Sequence, residues 1–207
     1  NLTPDQIAAV AGNADIKVTT IPQALLYYIA FNQKDKDLTD PKVRQALRYL
    51  IDYDGMANSF LKGAAQVHQS FWATGFWASY DENPYKLDVD KAKALLKDAG
   101  YPDGFSLDLD APNFAPFTNM AQSVQSTFAQ AGIKVNIVSA EMAPMLTKYR
   151  ARQHQALMVY WGPDYMDPHT NADGFITNTN NADDAPGHPL AWRSAWQDAD
   201  LTAAVAK

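Results

Sequence analysis

The sequence predicts an α/β fold, and three observations carry that prediction. Between Phe105 and Trp161 the apolar spacing switches back and forth between strand and helix periods: "FSLDLD", "PFTNMAQSVQSTFAQAG", "IKVNIV", "EMAPMLTKYRARQ" and "ALMVYW" follow one another. Read as β-α-β-α-β, this is the order that builds a sheet covered by helices. Several helical segments also carry matched punctuation, with an N-capping residue and proline at the start and glycine at the stop. Finally, 47% of the 207 residues are apolar, enough for one sizeable core or two small ones.

The elements follow in order. "NLTPDQIAAVAG" places Thr3 as N-cap, Pro4 at the first helical position and Ile7, Ala8 and Val10 on a short helix that ends near Gly12. "ALLYYIAFN", residues 24 to 32, is rich in aromatic and branched residues and reads as a strand. In "LTDPKVRQALRYLID", Asp40 caps, Pro41 is the first helical residue, and Val43, Ala46, Leu47, Leu50 and Ile51 share one face. Arg44 adjoins that stripe and is expected to be structural, packing its stem and pairing its guanidinium with a nearby acid. "DGMANSFLKG" predicts a second short helix.

The next stretch, "AAQVHQSFWATGFWASYDENPYKLD", has six aromatic residues and no clear period. Loops of that length inside a compact domain are uncommon and usually functional, so Trp72 and Phe76 are candidates for the wall of a binding site. "DVDKAKALLKDAGYPDG" gives a helix with Val89, Ala92, Leu95, Leu96 and Ala99 inward, stopped by Gly100 and Pro102. Strands are expected at 105–110, 133–138 and 156–160, with helices at 90–99 and 116–131 packed on their sheet. The second of these helices carries Phe117, Met120, Ala121, Val124, Phe128 and Ala131 on one stripe, with Gly132 as its stop. After "WGPDYMDP" the stretch "NADGFITNTNNADDAPGHP" is polar and turn-rich, and "LAWRSAWQDADLTAAVAK" is helical by composition. No internal repeat is visible.

Composition removes several function classes. A net charge of −6 without a basic stripe argues against nucleic acid. Cysteine is absent, which removes disulfides, thiolate metal sites and cysteine nucleophiles. His68, His154, His169 and His188 lie far apart without ligand spacing, so no metal is expected. The phosphate-cradling and common hydrolase signatures are missing, and neither a catalytic residue nor a cofactor is expected. No run approaches the roughly 18 apolar residues of a membrane span. The opening residues have neither the basic start nor the apolar stretch of a signal peptide and read as mid-protein sequence.

"WGPDYMDP", residues 161–168, is where chemistry concentrates. Asp167 precedes Pro168 and a helical-looking stretch, the position of an N-cap. Asp164 has no such role, although it could close an Asx-turn after Gly162-Pro163. It follows the carboxyl end of a buried strand, where open α/β sheets place their ligands. Trp161 and Tyr165 either seal the core or wall a pocket. A carboxylate between aromatic faces suits an ammonium group, because charge-assisted hydrogen bonds and cation–π attraction act together. The ligand implied is cationic or amine-bearing.

"YYIAFN", "DPKVRQALRYLID", "DVDKAKALLKDAGYPDGFSLDL", "AQSVQSTFAQAGIKVNIV" and "WGPDYMDP" together resemble the family 5 solute-binding proteins, the dipeptide/oligopeptide- and nickel-type receptors of ABC importers. The resemblance runs from about Ile21 to Asn181. It implies a type II periplasmic-binding-protein-like lobe, a central mixed sheet with helices on both faces. Family members are longer and have two lobes that close on ligand. On that pattern residues 1–23 belong to the preceding lobe, 24–32 form a hinge strand, and 33–207 are the carboxyl-terminal ligand-binding lobe. In the peptide-binding members the aspartate of the W-x-x-D-Y block grips the ligand's α-amino group, which implies that role for Asp164 with Trp161 beside it. The family often has a proline-rich stretch where this chain has "HQSFWATGFWASYDENP", so that wall does not transfer.

The function expected is therefore capture of an amine-bearing solute, a short peptide first among them, for a membrane permease in an extracytoplasmic or periplasmic setting. The partners expected are that ligand, an ABC permease and an amino-terminal lobe. Two other readings stay open. One is a hydrolytic, glycosidase-like domain using Asp164 with Asp110 or Glu141 as second acid. The other is an interaction domain in which the aromatic loop meets a protein.

Overall fold

The protein's computed structural model describes residues 4–19, 21, 23–77 and 79–207. Thr3, expected to cap the first helix, lies outside these. Four strands form one mixed sheet in the order β1-β4-β2-β3: β1 (Leu26–Phe31), β2 (Ser106–Pro112), β3 (Lys134–Ala140) and β4 (Ala156–Trp161). β2 runs parallel to both β3 and β4, while β1 pairs antiparallel with β4, Leu26 opposite Trp161 and Phe31 opposite Ala156. The three strands expected at 105–110, 133–138 and 156–160 are thus neighbours in a single sheet.

The side-chain alternation of a strand sorts this sheet into two faces. On one, Ile29, Phe31, Leu107, Leu109, Ala111, Ala156 and Met158 join α2 (Pro41–Tyr49), α4 (Val89–Asp98) and α5 (Phe117–Ala129). On the other, Ala30, Leu157 and Val159 pack with α6 (Met142–Arg150), Phe175 of α7 (Pro168–Ile176) and Leu190 of α8 (Leu190–Arg193). β4 is buried on both sides, which explains its unbroken apolar run "ALMV". The stripe on α5 is inward as expected, and burying each of Phe117, Met120, Val124 and Phe128 contributes about 2 kcal/mol. Among the described residues no helix is long and apolar enough to cross a membrane.

Aspartates start several of the helices. Asp40, Asp88, Asp167 and Asp198 each accept a backbone N–H of the turn they cap, which offsets donors a helix start leaves unpaired. At the far end of α5, Gly132 has φ 81° and stands against Gly104, φ 77°; a Cβ on Gly104 would sit 2.2 Å from the Gly132 carbonyl oxygen. Both the left-handed backbone and the close approach require glycine there.

"LAWRSAWQDADLTAAVAK" is helical in two pieces, α8 and α9 (Ala199–Val205), separated by a turn in which Ala195 has φ 54°. Two expectations need correction. "NADGFITNTNN" begins inside α7, whose polar residues Thr170 and Asn171 are buried rather than in a surface turn. Arg44 is structural in setting, but its guanidinium donates to the carbonyls of Leu38 and Thr39, both at 2.7 Å, and not to an acid. The nearest carboxylate in sequence, Asp40, is engaged at the helix start by the Lys42 N–H.

Two stability effects follow. Arg44→Ala removes two charge-assisted hydrogen bonds and should lower stability by about 1–3 kcal/mol, a fall of several degrees in melting temperature; an unchanged melting temperature would contradict this role.

His154 is 3% exposed, lies edge-on to Tyr149, and has neither ring nitrogen hydrogen-bonded. Burial, assisted by the charge of Lys148, lowers its pKa from 6.5 to about 4. The folded ring stays neutral where the unfolded one protonates, so its contribution is intact above about pH 6.5 and is lost as pH falls toward about 4. Urea titrations at pH 7 and 4.5 should show His154→Leu losing about 2 kcal/mol less than the parent on acidification. Equal losses would refute it.

Candidate functional site

β2 and β4 are adjacent, and the chain leaves their carboxyl ends toward opposite faces, to α5 and to α7 respectively. Such a divergence opens a crevice beyond the strand ends, the place where α/β sheets bind ligands. "WGPDYMDP" begins on the last residue of β4 and turns directly into α7. A cleft of about 200 Å³ lies here, with Trp161, Asp164, Tyr165, Thr170, Asp173 and Arg193 among its walls. A larger surface hollow of about 450 Å³ lies elsewhere, beside Lys93, Lys97, Pro102 and Gly132. Its walls bring no aromatic ring and no buried polar group, so chemistry favours the smaller cleft.

Asp164 presents an exposed carboxylate with no hydrogen bond or ion pair among the described residues; only its backbone is held, its N–H donating to Thr170 Oγ1 at 3.3 Å. Tyr165 is half exposed, and its hydroxyl lies 3.1 Å from His169 Nδ1 one helical turn on. Asp167, as read from its position, caps α7 through the His169 N–H at 2.9 Å. Trp161 is oriented by a hydrogen bond from Nε1 to Asn171 Oδ1, 2.9 Å, and packs edge-on against Phe175 at 6.2 Å between ring centres.

The sequence-derived residues divide into two groups. Asp164, Trp161 and Tyr165 share the cleft. Trp72 and Phe76 do not line it. Trp72 donates from Nε1 to the Pro168 carbonyl at 2.8 Å, which ties the long loop to the first turn of α7. Phe76 is buried, 6% exposed. Of the two carboxylates considered as second acids, Asp110 has a side chain 2% exposed and is held by Lys148 Nζ at 2.7 Å. Glu141 accepts from Asn113 Nδ2 at 2.9 Å. Neither reaches the cleft of Asp164, and among the described residues no group of three histidine or acidic side chains could hold a metal ion.

Asn171, Asp173 and Arg193 belong to the site without having been singled out. Asn171 is fully buried, bonded through Oδ1 to Trp161 and through Nδ2 to the Phe71 carbonyl at 2.5 Å.

Residues 1–183 match the Bacterial extracellular solute-binding proteins, family 5 Middle. The chain belongs to this family. A family 5 relative, the Dipeptide-binding protein of Escherichia coli (strain K12), is 33% identical over 171 residues, covering 80% of this chain and 32% of its own length. The Di/tripeptide-binding protein 3 of Pseudomonas aeruginosa (strain UCBPP-PA14) is 32% identical over 96% of this chain and 37% of its own. The chain therefore spans about a third of these relatives.

Among solved structures, the ABC transporter-associated periplasmic binding protein of Helicobacter pylori in complex with peptide STSA superposes with a TM-score of 0.88 at 23% identity, covering all of this chain and 40% of that one. The fold of this chain is thus shared by part of a longer protein. The relatives named are binding proteins, and nothing in them supports the glycosidase-like reading.

Loss of the Asn171 carboxamide tests how the cleft is held. Asn171→Leu leaves the Trp161 indole N–H and the Phe71 carbonyl without partners and should cost about 2–4 kcal/mol. It should also shift the tryptophan emission of the folded state. Unchanged emission and stability would mean that the cleft is fixed by packing alone.

Proposed function

We propose that this chain is the ligand-gripping lobe of an ABC importer's substrate-binding protein, taking an amine-bearing solute, in the first place a short peptide. The observation that carries this is the unpaired carboxylate of Asp164, which shares the crevice beyond β4 with Trp161 and Tyr165. A carboxylate that caps nothing and pairs with nothing among the described residues is available to a ligand's ammonium, and the rings beside it add cation–π attraction. That two peptide-binding relatives share about a third of their length with this chain supports the same reading.

Trp72 and Phe76 would act at one remove, Trp72 by holding the Pro168 turn. Binding proceeds without turnover, and delivery to a membrane permease outside the cytoplasm completes the role. β1, the antiparallel edge strand, serves as part of the hinge, and residues 1–23 belong with a second lobe. Exposed Ile16, Val18 and Ile21 fit that placement, since apolar side chains left bare here would be covered there.

The cleft's size bears on how the lobe works. At about 200 Å³ it is below the roughly 300–1,000 Å³ of sites that bury a small ligand. An open carboxylate gains only about 1 kcal/mol from a cation in water, and more once enclosed. The 207-residue chain alone is expected to bind short peptides weakly, while the two-lobed protein binds well. In the two-lobed protein Asp164→Asn should weaken an amine-bearing peptide at least about tenfold, about 1.4 kcal/mol, by calorimetry. Equal affinities would remove Asp164 from the site, and tight binding by this chain alone would undo the two-lobe account.

A further inference from the structure

The crevice beyond β2 and β4 has a second wall, on the α5 side. Tyr27 of β1 and Tyr160 of β4 stand directly opposite each other in the sheet and so share a face. That face is the one α5 covers, and Phe117, the first residue of α5, meets both tyrosines: its ring centre lies 5.5 Å from that of Tyr27 and 6.2 Å from that of Tyr160. Phe114, in the link from β2 to α5, approaches the same ring edge-on at 5.4 Å. Phe117 is buried, whereas Tyr27, Phe114 and Tyr160 around it are 38%, 44% and 45% exposed. Large apolar side chains exposed singly are ordinary. Three rings gathered on one buried ring form a contiguous patch, and such patches mark binding surfaces.

We propose that this aromatic patch is a side-chain subsite, taking a large apolar group, an aromatic ring above all, from a solute whose ammonium is held at Asp164. The inference rests on the Asp164 cleft being the ligand site. Continuity with that cleft argues for the ligand as occupant. Tyr160 and Trp161 are consecutive on β4, so their side chains face opposite layers, Tyr160 in the patch and Trp161 in the cleft. One crevice therefore has an apolar wall beside α5 and an acidic wall beside α7. Tyr160 and Asp164 are four residues apart, a span of at most about 14 Å and less through a turn. A peptide held by its ammonium at Asp164 covers that distance within about its first three residues. Ring-on-ring contacts add to the stabilisation from buried area, which is why the patch suits an aromatic side chain best. A second lobe laid on the patch would hold every ligand alike, whereas a subsite discriminates among side chains, and the measurement reads that difference.

Four tripeptides test this in the two-lobed protein: Ala-Ala-Ala and the three that carry Phe at the first, second or third position. Calorimetry should show one or more of the Phe peptides binding at least about tenfold tighter than Ala-Ala-Ala, and the position that gains places the subsite relative to the ammonium. In Phe114→Ala and in Tyr160→Ala that preference should shrink to within about twofold. Phe114→Leu, which keeps apolar area but loses the ring, should keep part of it. Asp164→Asn should weaken all four peptides and leave the preference intact. A parent protein that binds all four equally overturns the proposal whether or not the variants fold, and leaves the cleft reading in place. A preference that survives both alanine substitutions overturns it as well. So does a uniform loss of affinity in those variants with the preference unchanged, which would make the patch a contact of the second lobe. Binding of none of the four removes the short-peptide reading of the cleft along with this one.

Discussion

One fully buried carboxamide ties the cleft end of this fold together. Asn171 accepts from the Trp161 indole and donates to the Phe71 carbonyl, so the end of β4, the first turns of α7 and the long aromatic loop meet on a single side chain. The Trp72 indole, donating to the Pro168 carbonyl, repeats the link one turn earlier. Buried amides of this kind are held to their geometry because any displacement strands a donor or acceptor away from water. The consequence is positional: Asp164 lies between Trp161 and Pro168, and both ends of its turn are anchored. Its carboxylate can stay unpaired because the backbone around it is not free to move toward a partner.

The sheet supplies the place for that turn. β4 lies between an antiparallel edge strand and a parallel neighbour, buried on both faces. Its side chains alternate between the two cores, Ala156 and Met158 toward α5 and Leu157 and Val159 toward α6. A one-residue slip would exchange these sets, so the register is strongly specified. Register in turn decides that the strand ends on Trp161 facing Phe175 and releases the chain beyond the sheet edge. The divergence of β2 and β4 toward opposite helical layers opens the crevice at that point. Asp110, inside the sheet on β2, is by contrast closed over by Lys148 of α6 and serves as a fastening.

Most of the fold was legible because its elements carry strong periods and local punctuation. Asp40 and Asp167 read as caps because capping chemistry is local in sequence, and the α5 stripe reads as core because six apolar residues repeat at helical spacing. Legibility failed where the deciding contact comes from far along the chain. "FSLDLD" shows no difference between its two aspartates, yet Asp108 is exposed and Asp110 buried, because only α6 decides which is covered. Asn171 sits in a polar stretch that reads as surface, and its burial depends on a loop 100 residues earlier. Arg193 gave no signal at all, since a charged residue on a four-residue helix is ordinary until the cleft beside it is seen. Asp164 could be singled out from sequence because the signal is local: it follows directly on a buried apolar strand and, unlike Asp167, is not placed to cap a helix.

The division of work between two lobes can be taken one step further on the reading proposed here. If this lobe holds Asp164 as the partner of the ligand's ammonium, a second lobe need not add another charge for that group. What it must change is the medium. Two unit charges about 4 Å apart interact by about 1 kcal/mol in water and about 4 kcal/mol where the effective dielectric constant is near 20. Excluding water thus strengthens the same contacts several-fold without making new ones. Tyr165, half exposed at the mouth of the cleft, is suited to meet such a cover, since an aromatic ring offers large area for little lost side-chain freedom. Closure and affinity then become one event, because the ligand's charges are bound firmly only when the lobes have met, and the closed shape is what a permease could read.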